Sequence, residues 1–363
     1  METLKIFFSI LREKKWLWGV IAGIITTTAI ITYLVVGKNS KNQELNSFVP
    51  QFSPKEITNL DEKDENKLTI LLLGYGGAGH QGGYLSDVIQ VVHFDFEKKN
   101  TVLISIPRDL WVSLPNGTES KINGAYNQDM GNKNGEALIS KSMASTVTGL
   151  PIDYYIAVDF VGFKRIIGEE LGGIDVEVSE VLDDSWYPIK GEELNTCGKS
   201  PEEVAQLSSE LFGFELERKF ECRYKQVYFP VGVTHMEGGD ALEFVRSRHG
   251  SAGGDFSRSK RQHEVLQAIK EKLFSLEGID NIPAVFKEFS AHTQTDLDTK
   301  IAEYLWPILK ETRKNKITTI TLSTENVFIN GKSSQGAYIV KPKESWSSVH
   351  SFINTQIKES ISQ

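Results

Sequence analysis

Five cationic side chains crowd the stretch ALEFVRSRHGSAGGDFSRSKRQHEVLQ, from Ala241 to Gln267: Arg246, Arg248, Arg258, Lys260 and Arg261. A guanidinium group donates two parallel hydrogen bonds from a planar fork, a geometry that suits phosphate oxygens. The chain around them is acidic, with 40 Lys+Arg against 48 Asp+Glu and a net charge of -8 over 363 residues. Nucleic-acid binding asks for a basic domain, so a local Arg cluster in this background points to a small, highly charged anion. A solvated helix face laced by ion pairs would have the same composition. Arg246 and Arg248 are two apart and point the same way in an extended chain. Arg258 and Gln262 are four apart and share one face of a helix. Gly253 and Gly254 permit a sharp turn into that helix, and Asp255 stands where it can cap it.

Two other segments carry chemistry. YLSDV brings Asp87 into a strand, and SIPRD brings Arg108 and Asp109 out of the next one, with Pro107 stiffening the turn. Antiparallel pairing of those strands puts the three side chains near one edge. Arginines around a few carboxylates make sense where a divalent metal and a pyrophosphate share a site. The carboxylates hold Mg²⁺, which takes oxygen ligands and phosphate, and the arginines neutralise charge as the bridging bond breaks. On spacing alone, a salt-bridge network among Asp87, Asp109 and the arginines fits as well. Asp87 or Asp109 is the candidate base for an attacking hydroxyl, since His249 and His263 have no orienting partner at fixed spacing. GYGGAG, Gly74 to Gly79, fits G-x-G-x-x-G but is followed by HQGGYLSD and a strand. A dinucleotide site needs a helix there, and a P-loop needs G-K-[ST], so both are rejected.

Strands and helices alternate around these residues. LTILLL (Leu68 to Leu73) reads as a buried central strand. Val88 to Phe94 and Thr101 to Ile106 are rich in β-branched residues and flank a hairpin turn at FEKKN. Gly135 to Leu150 has helical spacing, DYYIAVDF is a strand, VGFKRIIGEELGG is a helix closed by Gly172, and IDVEV is a strand. After Arg258, the residues Val265, Leu266, Ile269 and Leu273 mark one apolar helix face. IAEYLWPILKETRK and KITTITLS add a helix and a strand. The pattern is α/β, with a mixed sheet covered by helices. The segment 183–226 is polar and reads as an irregular surface insertion.

At the N-terminus, Trp16 to Gly37 carries no charge and is long enough to cross a ~30 Å hydrocarbon core. Lys5, Arg12, Lys14 and Lys15 precede it, which places residues 1–15 in the cytoplasm and the bulk of the chain outside. The run is too long for a cleaved signal peptide, and no small-x-small site follows it. Residues 38–67 read as a polar linker, with Pro50 and Pro54. Cys197 and Cys222 either form a disulfide, as an exterior location permits, or stand as free thiols; with no His pair nearby they do not make a zinc site.

SIPRDLWV, KINGAYN, IDYYIAVDFVGFKRIIGEELGGIDVEV, ALEFVRSRHG and GDFSRSKRQ occur in that order, and the set resembles the LytR-CpsA-Psr family of cell-envelope proteins. AYIVKPKESWSSVHSFI resembles the end of that domain, so the resemblance covers roughly Leu68 to Ile357, with the domain expected over 68–360. It implies an α/β/α sandwich with a central mixed sheet behind a transmembrane helix. It implies a membrane-anchored phosphotransferase that moves a glycopolymer from a polyprenyl-pyrophosphate lipid onto a peptidoglycan sugar hydroxyl, using Mg²⁺ or Mn²⁺. On that match Asp87 is the metal and catalytic aspartate, and Arg108 and Asp109 are the Arg-Asp pair. Arg246, Arg248, Arg258 and Gln262 bind pyrophosphate, and Lys121 supports the active-site loop. An apolar lipid cleft would draw on helix faces such as Met143, Val147 and Phe163, residues whose type also suits plain core. The chain departs from the family pattern in three places. No acidic residue follows the first strand in Gly74–Gly79, Leu85 stands where members carry Arg, and Val88 stands where they carry Thr. The metal is then left with Asp87, water and phosphate. A lipid-pyrophosphate sensor and a polyprenyl-pyrophosphate pyrophosphatase are the rival readings.

Overall fold

The computed structural model describes residues 66–80, 82–131, 137–251, 255–275, 282–311 and 317–361. The tail 1–15, the apolar run 16–37, all but the last two residues of the linker 38–67, and Gly253 and Gly254 lie outside these. Nor is the side chain of Asp255 among those described. No helix among the described residues is long and apolar enough to cross a membrane.

The elements run β1 (Lys67–Tyr75), β2 (Ser86–Asp95), β3 (Asn100–Ser105), β4 (Trp111–Ser113), β5 (Glu119–Lys121), α1 (Gly124–Gly131), α2 (Leu138–Thr148) and β6 (Tyr154–Asp159). Next come α3 (Phe160–Arg165), extended by a π-helical turn Ile166–Glu170, then β7 (Ile174–Val178), β8 (Leu182–Pro188), α4 (Pro201–Glu210), β9 (Tyr224–Phe229), β10 (Gly232–Met236) and α5 (Gly238–Arg246). The chain continues with α6 (Asp255–Ser275), α7 (Ile282–Ala291), β11 (Gln294–Thr295), α8 (Thr299–Glu311), β12 (Ile317–Thr321), β13 (Phe328–Lys332), β14 (Tyr338–Pro342) and α9 (Trp346–Ile361).

Six strands form the central sheet in the order β11-β6-β1-β2-β3-β12. β1 pairs parallel with β6, and β3 pairs parallel with β12, while β1-β2, β2-β3 and β6-β11 are antiparallel. The α/β pattern with a mixed sheet is therefore the observed one. The apolar run of β1 follows from burial on both faces. Leu71, Leu73 and Tyr75 pack with Met143 and Val147 of α2 and with Val349 and Ile353 of α9. Leu68 and Ile70 face the other way, onto Leu305 of α8. At about 2 kcal/mol for each large apolar side chain removed from water, this strand alone supplies much of the sheet's anchoring.

A second core lies between β7, β8, β9, α5 and α6, built from Ile167, Val176, Leu182, Val227, Phe244 and Val265. It corrects the reading of 183–226 as irregular. β8 and β9 pair antiparallel from Leu182↔Phe229 to Pro188↔Tyr224 and bury Tyr187 and Phe229 in this core. Only the stretch between them stands out on the surface. There Ser200 caps α4 by accepting from Glu203 N, and the Glu203 side chain returns the bond, with Pro201 in the first turn. The helix buries no residue of its own. Cys197 and Cys222 are joined in a disulfide, which resolves the open alternative and closes a sequence separation of 25.

Loop entropy for a crosslink of this span is worth about 3 kcal/mol when the whole chain unfolds. Because α4 contributes nothing to either core, reduction is expected to release only this segment. Limited trypsinolysis should then cut at the exposed Arg218 and Lys219, while the global denaturation midpoint moves far less than that figure implies.

Candidate active site

Antiparallel pairing places Gln90 opposite Ser105, so the start of β2 and the end of β3 share an edge of the sheet. Asp87 sits at the first of these and Arg108 just past the second. The Arg108 guanidinium donates to Asp87 Oδ1 and lies 3.8 Å from Asp109 Oδ2. Lys121 Nζ donates to Asp109 Oδ1 at 2.5 Å. Backbone bonds hold the three segments in place: Ser86 N to Asn123 O at 3.0 Å, Asn123 N to Arg108 O at 3.3 Å, and Ile122 N to Leu110 O at 2.7 Å. All four side chains are about a quarter exposed. Ion pairs with this much solvent add little stability, so what the cluster offers is alternating charge that a phosphate can enter.

Arg246 approaches the same edge from another direction. It is the last residue of α5, a helix absent from the sequence reading, in which Glu237 and Asp240 form a reciprocal cap. Arg246 is therefore helical rather than extended. Its guanidinium lies over the Phe160 ring at 4.1 Å, a cation–π contact, and donates to Tyr187 Oη at 3.3 Å. Phe160 follows Asp159, which ends β6 opposite Tyr75 of β1, and the His80 ring meets Phe160 edge-on at 5.2 Å. β6 and β2 flank β1, so Phe160 and Asp87 are about two strand spacings, ~10 Å, apart along the edge. This is the carboxyl edge of the parallel strands, where open α/β sheets bind ligands.

The remaining predicted residues divide. Gln262 Oε1 accepts from Gln90 Nε2 at 3.3 Å, and the same nitrogen donates to Ser105 Oγ at 3.2 Å. This link docks α6 on the sheet, and Arg258 lies one turn earlier on the same helix. Arg248 is exposed, beyond the bend at Ser247. Lys260 instead pairs with Glu180 at 2.7 Å on the surface.

Arg261 has a different role, which composition did not reveal. It is 5% exposed. It donates from Nε to Phe244 O at 2.8 Å, from Nη2 to Ser247 O at 2.5 Å and from Nη1 to Ser251 Oγ at 2.9 Å. Burial, helped by the Arg258 charge, lowers its pKa to about 10. Its partner in shaping this turn is Asp184, also buried. Asp184 Oδ2 accepts from Ser247 Oγ at 2.5 Å and from His249 N at 3.3 Å, and Oδ1 accepts from Trp186 N at 2.8 Å. Together they clamp the turn carrying Arg246 and Arg248. Neither has a sequence signal, because every partner is distant in the chain or on the backbone.

The proposed lipid-cleft residues do not line a common wall. Met143 and Val147 are buried in the main core, and Phe163 packs against the second core. The glycine loop leads from β1 into antiparallel β2 and presents no helix N-terminus. It closes on itself, Gly77 N donating to Gly83 O at 2.8 Å. A Cβ on Gly83 would meet Gly77 O at 2.4 Å, and Gly77 itself has φ +86°. Leu85 is exposed and borders a hollow of about 440 Å³ lined also by Trp111, Lys121, Asn123, Ser333 and Gln335, on the Lys121 side of the cluster. Among the described residues no group of three His, Cys, Asp or Glu side chains is placed to hold a metal ion. The ion-pair cluster offers the carboxylates of Asp87 and Asp109, a donor set that suits Mg²⁺ when phosphate oxygens and water complete its shell, while Asp159 at the β6 end of the same edge accepts from Gly162 N at 2.7 Å.

The LytR_cpsA_psr family model matches residues 28–349. The polyisoprenyl-teichoic acid–peptidoglycan teichoic acid transferase TagV of Bacillus subtilis (strain 168) is 27% identical over 277 residues, 76% of this chain and 60% of that protein. TagU of Enterococcus faecalis (strain ATCC 700802 / V583), which bears the same transferase name, is 23% identical over 295 residues, 79% of this chain and 81% of that protein. The chain thus spans less than two thirds of TagV. The crystal structure of B. subtilis TagV shares the fold with a TM-score of 0.56 at 25% identity, over 83% of this chain and 99% of that one.

Replacing Asp184 by Ala takes the acceptor from Trp186 N and His249 N and leaves Ser247 Oγ with His249 O at 3.1 Å; a buried donor left unpaired costs about 1 kcal/mol or more. Denaturant unfolding of Asp184→Ala is expected to show a loss of about 2–4 kcal/mol. Lys260→Ala, which removes only a surface pair, should change stability by less than about 1 kcal/mol.

Proposed function

Because the chain belongs to the LytR_cpsA_psr family, we propose that it is a phosphotransferase that moves a glycopolymer from a polyprenyl-pyrophosphate carrier onto a peptidoglycan sugar hydroxyl. The observation that carries this reading is the gathering of Asp87, Arg108, Asp109 and Lys121 with Arg246 along one carboxyl edge of the sheet. The transferase names of the TagV and TagU relatives support it.

In the proposed step the acceptor hydroxyl oxygen attacks the phosphorus that bears the glycan. The bond from that phosphorus to the bridging oxygen breaks, and polyprenyl monophosphate leaves with the bridging oxygen. Asp87 or Asp109 takes the hydroxyl proton and returns it to solvent. Arg108, Arg246, Arg248 and Arg258 balance the charge of the diphosphate, with Gln262 as a neutral donor and Lys121 holding Asp109 in place. Fixed donors aimed at the developing charge make such groups effective in the transition state. Asp87 would hold Mg²⁺ or Mn²⁺ together with phosphate oxygens and water, and the ion would supply further charge neutralisation. In this reading residues 16–37 anchor the chain in the cell membrane, with the N-terminus cytoplasmic and the domain outside. The Cys197–Cys222 disulfide supports an oxidising exterior.

The full-length protein in lipid nanodiscs, given Mg²⁺, a polyprenyl-pyrophosphate oligosaccharide and peptidoglycan fragments, is expected to yield a phosphodiester-linked product by mass. Asp87→Asn and Arg108→Ala are each expected to lower kcat by about 10²-fold or more. Phosphate release without a sugar–acceptor product would identify a pyrophosphatase. Donor binding without turnover would identify a sensor. Either result rejects the transferase reading.

A further inference from the structure

Next to the arginines is a group of aromatic rings that the phosphate chemistry does not use. Phe214 stacks on His249 with centroids 4.4 Å apart and planes 15° apart. Trp186 meets Phe214 edge-on at 5.5 Å and Tyr224 at 5.5 Å. Four chain segments contribute: β8, the stretch braced by the disulfide, the start of β9, and the turn after α5. His249 directly follows Arg248, and Trp186 directly precedes Tyr187, the partner of Arg246.

These rings are not core. Phe214 is 38% exposed, whereas nearby Tyr187 and Phe220 are 6% and 2% exposed. Trp186, Tyr224 and His249 are half-buried. Half-exposed aromatic rings take an apolar face and a polar edge together, and a pyranose ring presents both, with C–H faces and hydroxyl edges. The stretch that carries Phe214 makes little core of its own, yet it is held firmly. Besides the disulfide, Arg223 donates from Nε to Asn195 O at 2.6 Å and lies over the Phe220 ring at 3.9 Å. A rigid segment spends little entropy on binding.

Charge narrows the ligand further. From Ile189 to Arg223 the chain carries eight glutamates and five lysines or arginines. A polymer with a phosphate in every repeat would meet a surplus of like charge along this stretch, and like-charge juxtaposition is how interfaces reject a partner. A neutral sugar chain would meet aromatic faces and carboxylate acceptors for its hydroxyls.

We infer that Trp186, Phe214, Tyr224 and His249 form a glycan subsite, and that the transferred polymer is an uncharged, pyranose-containing polysaccharide rather than a polyol-phosphate chain. This inference rests on the phosphotransferase reading above for the position of the pyrophosphate.

The test uses the full-length protein in nanodiscs and three lipids: polyprenyl pyrophosphate bearing a neutral oligosaccharide, the same lipid bearing a disaccharide extended with glycerol phosphate, and bare polyprenyl pyrophosphate. Binding and transfer are both measured. Wild type is expected to favour the neutral donor over the phosphate-rich one by about tenfold or more at low salt, a gap that narrows as salt screens the glutamates. Phe214→Ala and Trp186→Ala are expected to weaken the neutral donor by about tenfold without a parallel loss for bare polyprenyl pyrophosphate. Glu215→Lys with Glu217→Lys, on the exposed surface, is expected to narrow the preference while the fold stays intact. Equal or better use of the phosphate-rich donor overturns the inference, as does a parallel loss for all three lipids in the aromatic variants. If neither donor is transferred, the phosphotransferase reading fails, while the binding preference still decides the glycan subsite.

Discussion

The antiparallel pairing of β2 with β3 is the constraint on which the site depends. It brings the first residues of one strand and the last of the next to the same edge of the sheet, and so sets Asp87 beside Arg108. Side chains alternate across a strand, so a slip of one residue would turn Asp87 into the core and Ser86 outward. Burial on both faces of the neighbouring β1 opposes such a slip. Gln90 extends the same constraint into the helical layer. It is nearly fully buried, and its side chain ties Ser105 and Gln262 together. An unpaired amide at that depth would be costly, so α6 is held against the sheet at Gln262.

The crowded cations of the Ala241–Gln267 stretch have divided tasks. Burying a guanidinium costs several kcal/mol unless its donors are met. Arg261 meets that cost with backbone carbonyls of Phe244 and Ser247. It is thereby committed to holding the turn and is not available to a ligand. Asp184 completes the clamp from the opposite side with an acceptor for Ser247 and His249. Arg246 remains partly exposed above Phe160, held by π-electron density and a phenol. Such partners orient a guanidinium without neutralising it, which suits a group meant to meet an anion. The same turn then presents His249 to Phe214, so phosphate chemistry and the proposed glycan contact share one support.

Much of this was legible beforehand. β1 is a continuous apolar run because it is covered on both sides, and the helix after Arg258 shows its buried stripe at Val265 and Ile269. The edge position of Asp87, Arg108 and Asp109 followed from two β-branched runs and a short turn. Other features were hidden for physical reasons. α5 is short, and its cap uses Glu237 and Asp240, not the residues that usually mark a helix start. The segment 183–226 looked irregular because its two strands pair across a long excursion, and β-branched residues are few in β8. Met143 and Val147 have the composition of a lipid wall and of a core alike, and only burial tells the two apart.

The sequence by itself determined the alternation of strands and helices, the placing of Asp87 and Arg108 at a strand edge, and the surplus of cations in one stretch of an acidic chain. These are local properties, set by periodicity, side-chain type and near-neighbour spacing. Tertiary structure decided which arginine is buried and which faces the edge, that Asp184 and Gln90 support the site, that Cys197 meets Cys222, and that Phe214 lies on His249. Cys197 and Cys222 are 25 positions apart and Gln90 and Gln262 are 172 apart, and the energy of such contacts depends on burial and geometry that exist only once the layers have packed.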